Sequence, residues 1–191
     1  MIKQKLRNEL ENVSALRENR MRVSKLVLQN EAYFLPLLEI VLDINDKTSI
    51  KAAWIFEFVC KEKLEWLFPH LDYYCSQINK LHFDSAVRPI SKICKLLLLR
   101  NDKIKITTLN NTHKEQIIEV CFDWMISNQK VAVRAYTMQT LFVLGKEQPW
   151  VHEELILIIK KGIDTESSAY KSRGKITLLQ IEKFNKKKLL N

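Results

Sequence analysis

Glycine is scarce in this chain: 3 in 191 residues, with only 4 prolines beside them. All-β folds need many tight turns and nucleotide-binding α/β folds need glycine loops, so the shortage argues against both. Cysteine gives no hint of chemistry either. Cys60, Cys75, Cys94 and Cys121 are separated by 15, 19 and 27 residues, without the Cys-x-x-Cys spacing of a zinc knuckle or redox pair. They read as small buried hydrophobes in a reducing compartment. His70, His82, His113 and His152 show no His-x-x-x-His spacing, and no Ser/His/Asp set or phosphate-binding glycine motif can be assembled along the chain. Apolar runs such as Leu155 to Ile159 fall far short of the roughly 20 residues that span a bilayer. The N-terminus, Met1-Ile2-Lys3-Gln4-Lys5-Leu6-Arg7, is charged and lacks the apolar core of a secretory signal. The expectation is a cytoplasmic chain with no catalytic residue, no metal and no cofactor.

What the chain does hold is apolar material, 47% of residues, with 28% charged, enough for one continuous core over residues 1–191. Its net charge of +9 belongs to the ends: residues 1–25 carry +4 and residues 171–191 carry +6, while residues 26–170 sum to −1. A terminal charge run such as Lys186-Lys187-Lys188 is ordinarily a solvated feature. The footprint of a polyanion site would cluster on one face of the fold.

The apolar residues recur at helical spacing. Val131, Ala135, Met138 and Phe142 stand at i, i+4, i+7 and i+11 behind Lys130, one stripe of a helix. Similar openings, a basic residue followed by a small or ring-closed one, occur at Lys51-Ala52, Arg88-Pro89, Arg134-Ala135 and Arg173-Gly174, at steps of 37, 46 and 39 residues. That period belongs to stacked helical hairpins. Other stripes are Phe34, Leu38 and Val41; Ala52, Ile55, Phe56 and Val59; Ile90, Ile93, Cys94 and Leu97; Ile118, Cys121, Phe122 and Met125; Val151, Leu155 and Ile158. A helix from Arg17 to Gln29 carries Met21, Leu26 and Leu28, and a final one runs through Ile176 and Leu179 before ending at Lys186. Asn30 and Thr165 or Ser167 are N-cap residues, Gly145 and Gly162 left-handed stops, and Asn101 to Thr112 a polar insertion. Residues 1–30 read as an N-terminal cap and 185–191 as a basic tail.

Val133-Arg134-Ala135, Val87-Arg88-Pro89, the weaker Lys51-Ala52 and Arg173-Gly174 copies, and the acidic joints Asp46, Asp84 and Asp164 resemble HEAT repeats. The resemblance covers nearly the whole chain and implies an all-α fold, a right-handed α-α superhelix or solenoid of antiparallel helix pairs. The chain is also similar to small bacterial HEAT-like proteins, some of which carry the name adenylosuccinate lyase. The Ser-Ser-x-Met-Pro-x-Lys-x-Asn loop of that lyase family has no counterpart here.

Two functions follow from the resemblance. The first is a non-enzymatic scaffold that binds a protein or peptide on its concave face. The alternative is nucleic-acid binding, as in HEAT-like DNA alkylation-repair glycosylases, which are thought to grip the duplex backbone with a basic surface. Arg88, Lys92 and Lys95 form an i, i+4, i+7 ridge, and Lys130/Arg134 and Lys171/Lys175 repeat the i, i+4 spacing, so these seven are the candidate concave-face residues. Against them stands the HEAT-repeat habit of pairing the arginine with an acidic joint residue of the neighbouring repeat, which would make Arg88 and Arg134 structural. Trp54, Tyr136, Trp150 and Tyr170 at stripe spacing read as core before they read as a base platform.

Overall fold

Ten α-helices form the regular structure of this computed structural model among its described residues, 2–104 and 109–190, with short 3₁₀ turns and no strand. The expected all-α class is what the chain adopts. It divides into two compact units, residues 1–96 and 97–191.

The first unit holds α1 (Ile2–Glu11), α2 (Arg17–Leu28), α3 (Phe34–Val41), α4 (Thr48–Glu62), α5 (Leu71–Gln77) and most of α6 (Asp84–Ile104), which carries the chain into the second. α3 packs on α4, α1 on both, and α2 on α4. Phe34, Phe56 and Tyr74 run through the core with ring centroids 5.3 and 6.4 Å apart. Burial of such surface at about 25 cal/mol per Å² is the main stabilising term. Polar contacts set the joints. Asn30 caps the turn before α3, accepting from Ala32 N at 3.0 Å, and Pro36 lies in the first turn of α3, where its missing N–H costs nothing. Asp46 accepts from Thr48 N at 2.8 Å and from Arg7 of α1, so its carboxyl sits below its usual range, Thr48 being the larger cause. Lys51 reaches back to the Glu11 carbonyl at 2.7 Å, closing the end of α1. On α2 the structure corrects the sequence stripe: Val23 and Val27 are buried against the unit, whereas Met21, Leu26 and Leu28 are half-exposed.

The second unit holds α7 (Asn111–Ile126), α8 (Val131–Leu144), α9 (Pro149–Gly162) and α10 (Ser168–Leu189). A four-residue joint, Ser127 to Lys130, turns α7 back on α8. α8 is the central element, packed on α7, α9 and α10. Its buried face is Val133, Thr137, Met138, Thr140, Leu141 and Leu144; of the stripe Val131, Ala135, Met138 and Phe142, only Met138 is buried. The reason lies in the threonines. Thr137 and Thr140 donate to the carbonyls of Val133 and Tyr136 at 2.9 and 3.1 Å, so their hydroxyls are satisfied within the helix and the methyl sides pack as apolar surface. Thr177 of α10 does the same to Arg173 at 3.0 Å.

The structure departs from three further expectations. Gly145 and Gly162 are not left-handed stops: Gly145 has φ −64°, and no glycine among the described residues occupies the left-handed region. Ile176 and Leu179 face outward on α10, which buries Tyr170, Gly174, Thr177 and Ile181 instead and stays helical through Leu189. The polar stretch Asn101 to Thr112 is helical at both ends, since α6 runs on to Ile104 and α7 starts at Asn111 behind its Asn110 cap; residues 105–108 lie outside the described residues.

Candidate functional site

The basic residues singled out in the sequence lie on α6, on α8 and the residue before it, and on α10, but few are free. In the first unit Arg88 is exposed and makes no ion pair among the described residues. Lys92 donates to Glu57 Oε1 at 2.6 Å, and Lys61 reaches the same oxygen at 2.9 Å. Burial alone would raise the Glu57 pKa, but the two lysines outweigh it and hold the carboxyl below its usual range. Lys95 is half-buried. In the second unit Lys130 and Lys175 are exposed, and Lys171 donates to the Asp164 carbonyl at 3.1 Å.

Arg134 is the informative member. Its guanidinium pairs with Glu166 in the joint before α10 and lies 5.2 Å from the centroid of the Tyr170 ring. The Arg134 side chain keeps 14% of its surface exposed. This is a pairing with an acidic joint residue of the kind the repeat resemblance implied, made by Glu166 and not by Asp164. For Arg88 no such pair is seen among the described residues.

The Arg134–Glu166 pair forms part of the lining of a cavity of about 680 Å³ in the second unit, where the α7–α8 and α9–α10 turns lie. Met125, Ile158 and the buried Tyr170 supply apolar lining. Two large apolar side chains are left open to solvent at it, Ile126 with 71% and Leu157 with 62% of their surface exposed. Glu154 and Lys161 flank Leu157 on α9, so each sign appears twice: Glu154 and Glu166 against Lys161 and Arg134. Such a groove offers an apolar grip and directional charge. It does not offer the contiguous positive potential that a phosphate backbone requires.

Sequence reading passed over Ile126 and Leu157. The available signal was that both are large apolar residues lying off the stripe of their own helix.

No helix among the described residues is long and apolar enough to cross a membrane. No group of three His, Cys, Asp or Glu side chains among them is placed to hold a metal ion. A family model described as HEAT repeat domain matches residues 4–181. No curated protein and no solved structure matched the chain. HEAT repeats generally mediate protein interactions, and the family is typically non-enzymatic.

Proposed function

The chain belongs to the HEAT repeat domain family, and from that premise we propose that it is a non-enzymatic binding module whose second unit holds a peptide segment of a protein partner in the Ile126–Leu157 groove. The observation that carries this reading is the exposure of these two side chains on one cavity that the Arg134–Glu166 pair also lines. Exposed apolar surface of that kind costs solubility unless a partner covers it, and the balanced charges around it favour a polypeptide over a polyanion. The groove has the features of a binding hot spot: apolar anchors with polar groups around them. A cytoplasmic setting, where thiols stay reduced, fits the four buried free cysteines.

Selection from a random peptide library on the immobilised chain tests the proposal, with Leu157→Glu and Ile126→Glu as counter-targets. Enriched peptides should carry apolar anchors and bind either variant at least about tenfold more weakly, as expected for loss of an anchor. Peptides that bind the variants as well as the parent chain would overturn it. So would a chain that retains only labelled duplex DNA, released by salt.

A further inference from the structure

Two outward helix faces of the second unit lack a partner, and they are opposite in charge. On α7, Glu115, Glu119 and Asp123 recur at every fourth residue; all three are exposed and none makes an ion pair among the described residues. Beside them the ring of Phe122 stacks on that of Trp150, centroids 5.8 Å apart, and Trp150 keeps 51% of its surface exposed.

On α10 the corresponding row is Lys175, Leu179, Lys183 and Lys187, again at every fourth residue and all exposed. Ile176 lies next to it, and Ile176 and Leu179 expose 43% and 55% of their surface. The three lysines make no ion pair among the described residues, whereas the neighbouring Lys186 is occupied by Glu182 at 2.6 Å. The opposite side of α10, through Tyr170, Gly174, Thr177 and Ile181, is the one buried in the unit.

The two rows share one pitch, with Leu179 of α10 in the place that Glu119 holds on α7. Glu115 to Asp123 and Lys175 to Lys183 each span eight residues, about 12 Å of helix. The acidic row has the Phe122–Trp150 patch at its side, and the lysine row holds Leu179 within it with Ile176 beside it. We propose that α10 of one copy docks on α7 of a second copy, with the lysine row along the acidic row and Leu179 and Ile176 against the Phe122–Trp150 stack. The contact joins two different faces, so every copy carries one of each. Opposite charges at matched pitch favour encounter in this register and disfavour α7 on α7 or α10 on α10. This surface is separate from the peptide groove proposed above, and neither proposal depends on the other.

Sedimentation velocity of the full chain across a concentration series, at about 0.05 M and about 0.5 M salt, tests it, because exposed charges are screened within a few ångströms at the higher value. Mass should grow with concentration at low salt, and association should weaken at least about tenfold at high salt. The reversals Glu119→Lys/Asp123→Lys and Lys175→Glu/Lys183→Glu should each leave a monomer, with helical circular dichroism unchanged. Mixing the two reversed chains should restore association, since each chain alone carries two rows of like sign and the pair again offers opposite rows, both native and reversed. Where a reversal unfolds the chain, the neutral pairs Glu119→Gln/Asp123→Asn and Lys175→Gln/Lys183→Gln replace it, each expected to weaken association about tenfold. A parent chain that stays monomeric at low salt would overturn the proposal. Association indifferent to either row, or a mixture of reversed chains that remains monomeric, would do the same.

Discussion

The indole Nε1 of Trp54 donates to the backbone carbonyl of Ser85 at 3.1 Å, and Ser85 stands four residues before Pro89 inside α6. Proline has no N–H, so the carbonyl one turn earlier loses its helical partner. A side chain from α4 supplies the missing donor. Trp54→Phe keeps the ring but removes that donor, and should cost about 1–2 kcal/mol, the penalty of an unpaired, partly buried carbonyl plus lost packing. In a Pro89→Ala background, where the backbone N–H returns, the cost should shrink. Urea denaturation of the four chains of this cycle measures both; an unchanged cost in the Pro89→Ala background would break the link between the two residues.

All three glycines serve close contact between helices. A Cβ on Gly145 would stand 1.9 Å from the His152 ring, one on Gly162 2.8 Å from the Tyr170 hydroxyl, and one on Gly174 2.8 Å from Ile159 Cγ2. An exposed helical Gly→Ala change ordinarily gains up to about 1 kcal/mol. Gly145→Ala should instead destabilise the chain by about 1–3 kcal/mol or more, read as a lower denaturation midpoint, because the ring it meets is held on both sides. Gly174→Ala should cost less, since an isoleucine methyl yields more readily than a stacked ring. The small residue at the equivalent position of α8, Ala135, is only half-buried, so it is not a comparable contact.

His152 lies between Phe142 and Phe184, with ring centroids 5.6 and 5.7 Å away, and its Nε2 donates to the Phe142 carbonyl at 2.8 Å. Burial lowers its pKa, the Lys146 charge adds to that, and the carbonyl contact opposes both. A histidine whose folded pKa lies below the unfolded value takes up its proton more readily when unfolded. Its contribution to stability is therefore complete above about pH 6.5 and is lost as the pH falls through the folded value. The melting temperature should drop between about pH 7 and about pH 5, and His152→Gln should flatten that dependence while lowering stability at neutral pH. Identical slopes in the two chains would remove His152 from the account.

Arg134 and Glu166 are mostly withdrawn from solvent, with 14% and 29% of their side chains exposed, so solvent screens the pair only in part. Arg134→Ala should destabilise the second unit by about 1–3 kcal/mol, because it leaves Glu166 and the Tyr170 ring without their partner. Arg134→Lys should recover only a fraction, since lysine keeps the charge but neither the planar fork nor the stacking. A double-mutant cycle with Glu166→Gln should show a coupling of about 1 kcal/mol; additive effects would mean the pair is not a stabilising contact.

Cys60, Cys75, Cys94 and Cys121 are all buried. Burial raises the thiol pKa of Cys60, Cys75 and Cys94, with Cys94 pushed up to about 12. A colorimetric thiol reagent should find almost no reactive group in the native chain and all four after unfolding, because the thiolate is the reacting species. Rapid modification of any one under native conditions would show that its helix opens locally.

Helix positions and the all-α class were legible in the chain itself, because the spacing of Ile90, Ile93, Cys94 and Leu97 or of Ala52, Ile55, Phe56 and Val59 is a local property that survives without neighbours. So was the cap at Asn30, whose side chain bonds to backbone two residues on, while for α10 the chain offered Thr165 or Ser167 and the structure chose Ser167. Tertiary structure decided whatever depended on a second helix. Thr137 and Thr140 read as polar until their hydroxyls are seen turned back into α8. Gly145 read as a stop until His152 arrived from α9. The Ile126–Leu157 groove could not be read as one site, since its two anchors, each an apolar residue off its own helix's stripe, come from different helices. Periodicity reports which side of a helix avoids water, but it does not say which residues from elsewhere in the chain come to cover that side, nor which are left uncovered.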